Sequence, residues 1–384
     1  MMNIALHKTI AFLVLILVGV LMRPSLRGAM QQLALKQVIL NLALPAVIFV
    51  ALLKLQVGAS MLVVPLLTVV FNLVVLASSW LLLPFFGVAR RSAEMRTFLL
   101  LLPSLAPGLS CFSFVAAFLG ESALAQAALA DVGNKVSVLF FSYLLAMHWF
   151  YRLNSQVRHS GNAKLKSLAL GLLKEPINLV MVAAVGLLLL DIRQDAFPRF
   201  LADAIQLLGQ LMTPLILLFV GISVTVNWQQ FKLIGKLLVF RAGIAFCFSG
   251  LLLLVLPDFA PAAALLVVVF PQSACSFWPL AHMTMVDVLG RQHGSRVAVF
   301  DSQLATNVLA LSLPFSVAMI LGVLNTGSFF ADPMHVLLVG GGLLAVSLVL
   351  AEISRVKKSK QRNIDVEGYP NPPLVETTLI GEQK

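Results

Sequence analysis

The sequence predicts an all-α membrane protein of about ten transmembrane helices in a five-plus-five inverted repeat, with broken, crossing fourth and ninth helices and one extra C-terminal helix. Three observations carry this expectation. Hydrophobic residues fill 60% of the 384 positions and charged ones only 11%, against roughly 25% charged in an ordinary soluble domain. The 27 basic and 16 acidic side chains are too few to cover a water-soluble globule of this length. The apolar residues fall into runs of bilayer length separated by short basic segments, and the punctuation of the first five runs recurs in the next five. The net charge of +11 does not point to nucleic acid: basic residues stand in twos and threes between apolar runs, with no aromatic-basic face for bases or phosphates.

In chain order, runs able to cross a hydrocarbon core of about 30 Å, roughly 20 residues each, lie at 6–23, 36–53, 61–86, 97–119, 123–150, 172–190, 200–225, 232–256, 261–288, 296–323 and 334–352. The first is expected to be a span and not a cleaved leader, because no small-x-small site follows it and the next residues are Arg23, Pro24 and Arg27. Assigning the intervening Lys and Arg to alternate sides puts twenty on one side, including Arg23, Arg90, Arg91, Arg152, Lys232, Arg241, Arg291 and Arg355. Only Lys8, Lys54, Arg193 and Arg199 fall on the other. By the positive-inside rule the N-terminus is then outside and the C-terminus cytoplasmic, in a multi-pass cell-membrane protein. Residues 162–171 read as a short interfacial helix. The tail after Arg362 is polar and proline-bearing, and reads as disordered. The expected organisation is 1–160 and 161–326 for the two repeats, 327–354 for an accessory helix with Gly340, Gly341 and Gly342 offering close packing, and 355–384 for a cytoplasmic tail.

The repeat is read from three matches in the same order. Asn41 precedes Pro45 by four residues in span two, as Gln210 precedes Pro214 in span seven. Pro107 precedes Cys111 by four in span four, as Pro271 precedes Cys275 in span nine. Gly120 precedes Asp131 by eleven, as Gly290 precedes Asp301. Matched spans are five apart, an odd number, so the copies cross the membrane in opposite directions, an architecture many secondary transporters use.

These residues resemble the auxin efflux carrier family of transporters, within the broader group that holds bile-acid sodium symporters. The likeness rests on the five-plus-five arrangement, on NLALPAVIF in span two, on GQLMTPLILLFVGISV in span seven and on the broken spans four and nine, and covers about residues 6–323. The chain departs from the family where span four breaks: many members carry an Asn-Gly-rich entry there, and here it reads PSLAPGLSC. The resemblance implies an elevator-like carrier of organic anions, a homodimer, a scaffold of spans one, two, six and seven, and a moving domain of spans three to five and eight to ten. It also implies that Asn41 and Gln210 offer amides to the substrate from the scaffold; bonding to a neighbouring helix is the alternative.

Proline inside a membrane helix frees backbone groups that must find partners or a wet cavity. Span four has Pro103 and Pro107 and span nine has Pro271 and Pro279, flanked by Ser104, Ser110, Cys111, Gln272, Ser273, Cys275 and Ser276. If the breaks cross, their half-helix N-termini form an anion site; otherwise the prolines only kink packed helices. The candidate substrate residues are therefore Asn41, Pro107, Ser110, Cys111, Gln210, Pro271, Gln272, Ser273 and Cys275. Ionisable residues at membrane depth are costly and mark mechanism. Asp131, Asn134 and Lys135 in span five and Asp301 and Asn307 in span ten are the candidate ion-coupling set, with Lys135 as a fixed cation between two aspartates where a related carrier binds sodium or a proton. In the alternative, Asp131 and Lys135 merely neutralise each other during insertion. His282 is read as a packing residue before a proton carrier.

No HExxH, G-x-S-x-G or His-carboxylate spacing suggests an enzyme, no cofactor motif is present, and no soluble output domain suggests a sensor. The expected function is a secondary-active or facilitative carrier of a small carboxylate. The alternatives are a sodium- or proton-coupled symporter of a larger amphipathic anion, and a sensor without transport.

Overall fold

The computed structural model describes residues 4–26, 28–53, 60–154, 176–190, 192, 196–223, 228–256, 259–292 and 298–367. All regular structure among them is helical. In order the helices are α1 (Ile4–Met22), α2 (Ala29–Val38), α3 (Leu44–Leu53), α4 (Ser60–Leu82), α5 (Ala93–Leu101), α6 (Pro107–Ser110), α7 (Phe112–Phe118), α8 (Glu121–Val136), α9 (Ser142–Leu153), α10 (Pro176–Leu189), α11 (Arg199–Gln210), α12 (Met212–Ser223), α13 (Trp228–Val255), α14 (Pro261–Val269), α15 (Trp278–Gln292), α16 (Ser302–Asn325) and α17 (Pro333–Glu367). Two π-helical segments, Ile39–Ala43 and Ser137–Phe141, join α2 to α3 and α8 to α9 without interrupting either rod.

Six helices among the described residues are long and apolar enough to cross a membrane: Val63–Phe86, Glu121–Leu153, Arg199–Ile222, Lys232–Val255, Ser302–Asn325 and Pro333–Ile353. The other apolar runs form shorter helices, such as Ile10–Met22 and Pro261–Gln272, or the halves of broken ones. The expected interfacial helix at 162–171 lies outside the described residues, as does the tail beyond 367. Residues 363–367, expected to be disordered, extend α17.

Neighbouring helices pack side by side. α1 lies along α12, and α3 lies along α10 and α11; α4 lies along α8, α13 along α17, and α15 along α9. Small residues set the closest approaches, as expected where lipid supplies no hydrophobic drive between helices. A Cβ on Gly19 would stand 2.3 Å from the Leu218 carbonyl oxygen, and one on Gly221 2.1 Å from that of Ile16, so α1 and α12 touch backbone to backbone. Of the three consecutive glycines in α17, only Gly340 packs in this way, against Cys247 of α13; Gly341 and Gly342 face open space. Gly120, with φ of 88°, makes the turn into α8 that a side chain would strain. Gly290, its expected repeat partner, lies inside α15, so this match of spacing is not a match of role.

Candidate functional site

Pro103 and Pro107 lack the backbone donor that would continue α5, and the chain leaves the helix at 102–106 before restarting as α6. Span nine unwinds at 273–277, between the 3-10 turn Phe270–Gln272 and α15. The two unwound segments cross and bond to each other. The Ala106 N–H donates to the Ala274 carbonyl at 2.7 Å, the Ala274 N–H to Ser110 Oγ at 2.9 Å and the Ser276 N–H to Ser104 Oγ at 2.9 Å. In each break one serine folds back on its own chain: Ser104 Oγ donates to the Leu101 carbonyl and Ser273 Oγ to that of Phe270, both at 2.6 Å. α16 adds Ser312 Oγ, which accepts the Cys275 N–H at 3.2 Å, and the Ser316 hydroxyl, which donates to the Gln272 carbonyl. Buried backbone groups released by the prolines thus find partners.

Ser104→Ala removes both a donor and the acceptor of a buried N–H. Leaving that group unpaired costs about 1–3 kcal/mol, so the variant is expected to melt several degrees below wild type in detergent, with Ser92→Ala, at an exposed cap, as the milder control.

Asn134 locks the first break from α8. Its Nδ2 donates to the Leu105 carbonyl at 2.8 Å and to Asp131 Oδ1 at 2.8 Å, while its Oδ1 accepts the Leu105 N–H at 3.0 Å and Asn72 Nδ2 at 3.4 Å. Two donors and two acceptor positions are all an amide has. Asn134 is therefore a clamp on the unwound segment. One turn on, Lys135 Nζ lies 3.9 Å from Asp131 Oδ2, with both residues buried.

A cavity of about 340 Å³ opens beside this pair. Its walls are Leu40 and Asn41 from one π segment, residues 105–109 of the break, Asp131, Asn134 and Lys135 of α8, Val138 from the other π segment, and Ser276, Phe277 and Trp278 of the second break. π turns recur at functional sites because they leave backbone groups out of the regular ladder. Here the Val138 carbonyl is taken by His282, whose Nε2 lies 3.0 Å away. A carbonyl only accepts, so that nitrogen carries the proton, and His282 packs edge-on to Tyr143 at 5.7 Å. This is the packing role expected of it.

The expected site residues divide. Asn41, Pro107, Asp131, Asn134 and Lys135 line one cavity. Ser110, Cys111, Gln272, Ser273 and Cys275 are buried in the crossing itself, as its ties and filling. Pro271 faces a second, apolar cavity of about 100 Å³ between α4, α8, α13 and α14. Gln210 is exposed at the end of α11 and does not line the cavity that Asn41 lines. Pro107 opens its second half-helix, whereas Pro271 sits in the turn that closes its first. The Pro-x-x-x-Cys likeness therefore spans opposite sides of the two breaks, and Ser104 and Ser273 are the positions that play the same part.

Asp301 is the main correction. It is not at mid-helix but caps α16, its Oδ1 accepting the Leu304 N–H at 2.9 Å while its own N–H donates to Thr97 Oγ1 at 2.9 Å. It lines a different cavity, of about 550 Å³, with Asp287, Arg291 and Ser302. Asn307 accepts from Gln303 at 3.4 Å on the same helix and is not in the Lys135 cavity. Asp301 thus does not share the cavity that Lys135 and Asp131 line.

Sequence reasoning missed Arg241, which it counted among the loop cations. Arg241 is buried within α13, its Nε donating to the Leu102 carbonyl at 2.7 Å and Nη2 to that of Ser104 at 3.1 Å. The signal was present: LLVF precedes it and AGIAF follows it, too apolar a setting for a loop. A scan against protein-family models found no match, and a search of curated proteins found none.

Proposed function

We propose that the chain is a secondary-active or facilitative transporter that moves a small organic anion, a carboxylate, across the cell membrane by elevator-type alternating access. In this reading the first ten apolar runs are ten spans in two inverted repeats, the N-terminus is outside, the C-terminus is cytoplasmic, and the working unit is a homodimer. The observation that carries the proposal is a buried cation, Lys135, in a 340 Å³ cavity against two crossing broken helices. In membrane proteins such breaks and such charges mark substrate pathways.

The packing supports the mechanical half. In this reading α1, α3 and α10 to α12 are the scaffold and the helices around the crossing are the moving part, with α3 lying against α8 where the two meet. The cavity lies between them, with Asn41 from the scaffold side facing Pro107, Lys135 and Trp278 of the moving part. A site at such a boundary is exposed to one side or the other as one group slides against its neighbour. Lys135 supplies a point charge, the Asn41 amide a donor, and Phe277 and Trp278 an apolar wall, a set suited to a carboxylate on a small organic frame. Proton coupling falls to Asp131, the carboxylate that shares this cavity.

Thermal melting of purified protein against a panel of mono- and dicarboxylates, with and without sodium and across pH, tests the assignment. Stabilisation by at least one carboxylate is expected. Stabilisation by amines or cations alone overturns it.

A further inference from the structure

We infer that Arg241 is a built-in cation that holds the end of the first half-helix of span four in the place where a broken membrane helix would otherwise need a bound metal ion. The last carbonyls of a helix have no partner within it and carry the negative end of its dipole. In transporters with discontinuous helices, unwound carbonyls of this kind are what coordinate a coupling cation. Here α5 ends at Leu101 with Pro103 and Pro107 beyond it, and the N–H of Ala106 is spent on the Ala274 carbonyl. The orphaned carbonyls of Leu102 and Ser104 turn to Arg241 instead. The Leu105 carbonyl goes to Asn134.

Arginine suits this post better than lysine would. Its planar fork reaches two carbonyls at once, and it does not lose its proton in proteins. Both Arg241 bonds go to the first break, while the next residue of α13, Ala242, takes Gln272 Nε2 of the second break on its carbonyl at 3.3 Å. Among the described residues it has no carboxylate partner; the carbonyls and the half-helix end are its counter-charge. Arg241 is a positioning residue: it sets the shape of the break whose other side, residues 105–109, walls the Lys135 cavity.

The test is chemical rescue. Wild-type protein in detergent should melt alike in sodium, potassium and choline chloride of equal ionic strength. R241A should melt several degrees lower in choline, and regain part of the loss in low millimolar methylguanidinium or in sodium, neither of which shifts wild type. R241K should keep more of the stability than R241A. A wild-type protein stabilised by sodium over choline overturns the inference, as does an R241A protein that no small cation rescues. If R241A yields no folded protein, R241K decides: folded and indifferent to sodium supports the inference, and as damaged as R241A contradicts it. These melts need no substrate, so a failed carboxylate screen leaves them intact. The part that rests on the transporter reading is tested separately, by uptake into proteoliposomes that should persist when choline replaces sodium.

Discussion

Gly133→Ala is expected to abolish the yield of monodisperse protein. A Cβ at this position would stand 1.9 Å from the Pro65 carbonyl oxygen, 2.7 Å from its carbon and 2.9 Å from its Cα. All three are backbone atoms, so no side-chain rotation relieves the clash. α4 and α8 would have to separate, and Gly133 adjoins Asn134, whose amide joins Asn72 of α4 to the unwound Leu105. Forcing extra volume into a packed core costs typically about 1–3 kcal/mol and occasionally more; a backbone-to-backbone collision that also pulls apart a buried amide network belongs at the upper end. Gly322→Ala in α16 is the control: nothing lies within 4 Å of its added Cβ, and alanine in an open helical position stabilises by about 0.4–1 kcal/mol. Size-exclusion profiles and melting temperatures of the two variants measure the contrast.

The second large effect separates structure from function at the Asp131–Lys135 pair. Removing one member of a buried ion pair strands the other and costs about 3–5 kcal/mol, whereas replacing both by neutral groups of similar shape is often close to neutral. Asp131→Asn and Lys135→Met are each expected to lower the melting temperature sharply. The double variant D131N/K135M should recover most of it, since asparagine can still accept from Asn134 Nδ2, which now bonds Asp131 Oδ1. If the pair served only insertion and packing, the recovered double variant would keep every other property. With Lys135 as the anion-facing charge, it folds and no longer responds to carboxylates.

Much of the architecture was legible in the sequence, because it follows from what lipid demands. Apolar run length marked where helices lie, and the prolines of spans four and nine marked where two of them break, since a missing donor has the same consequence wherever the chain goes. Asp131 and Lys135 were legible from their i,i+4 spacing in an apolar setting. Pairing by sequence punctuation was less reliable. Pro107 and Pro271 share a motif but sit on opposite sides of their breaks, and Asp301 matches Asp131 in spacing yet caps a helix, because a residue's place relative to a helix end depends on where the chain unwinds and not on its distance from a glycine. Arg241 was hidden by counting: it was grouped with Lys232 and Lys236 as a loop cation although it lies midway along α13, and only the crossing segments reveal that its partners are Leu102 and Ser104, 139 and 137 residues away.

The most direct test of the central claim is the melting temperature of wild-type and D131N/K135M protein side by side against the carboxylate panel. The predicted result is a rise for wild type with at least one small carboxylate and none for the double variant. No rise with any carboxylate, or the same rise in both proteins, would contradict an anion site at Lys135.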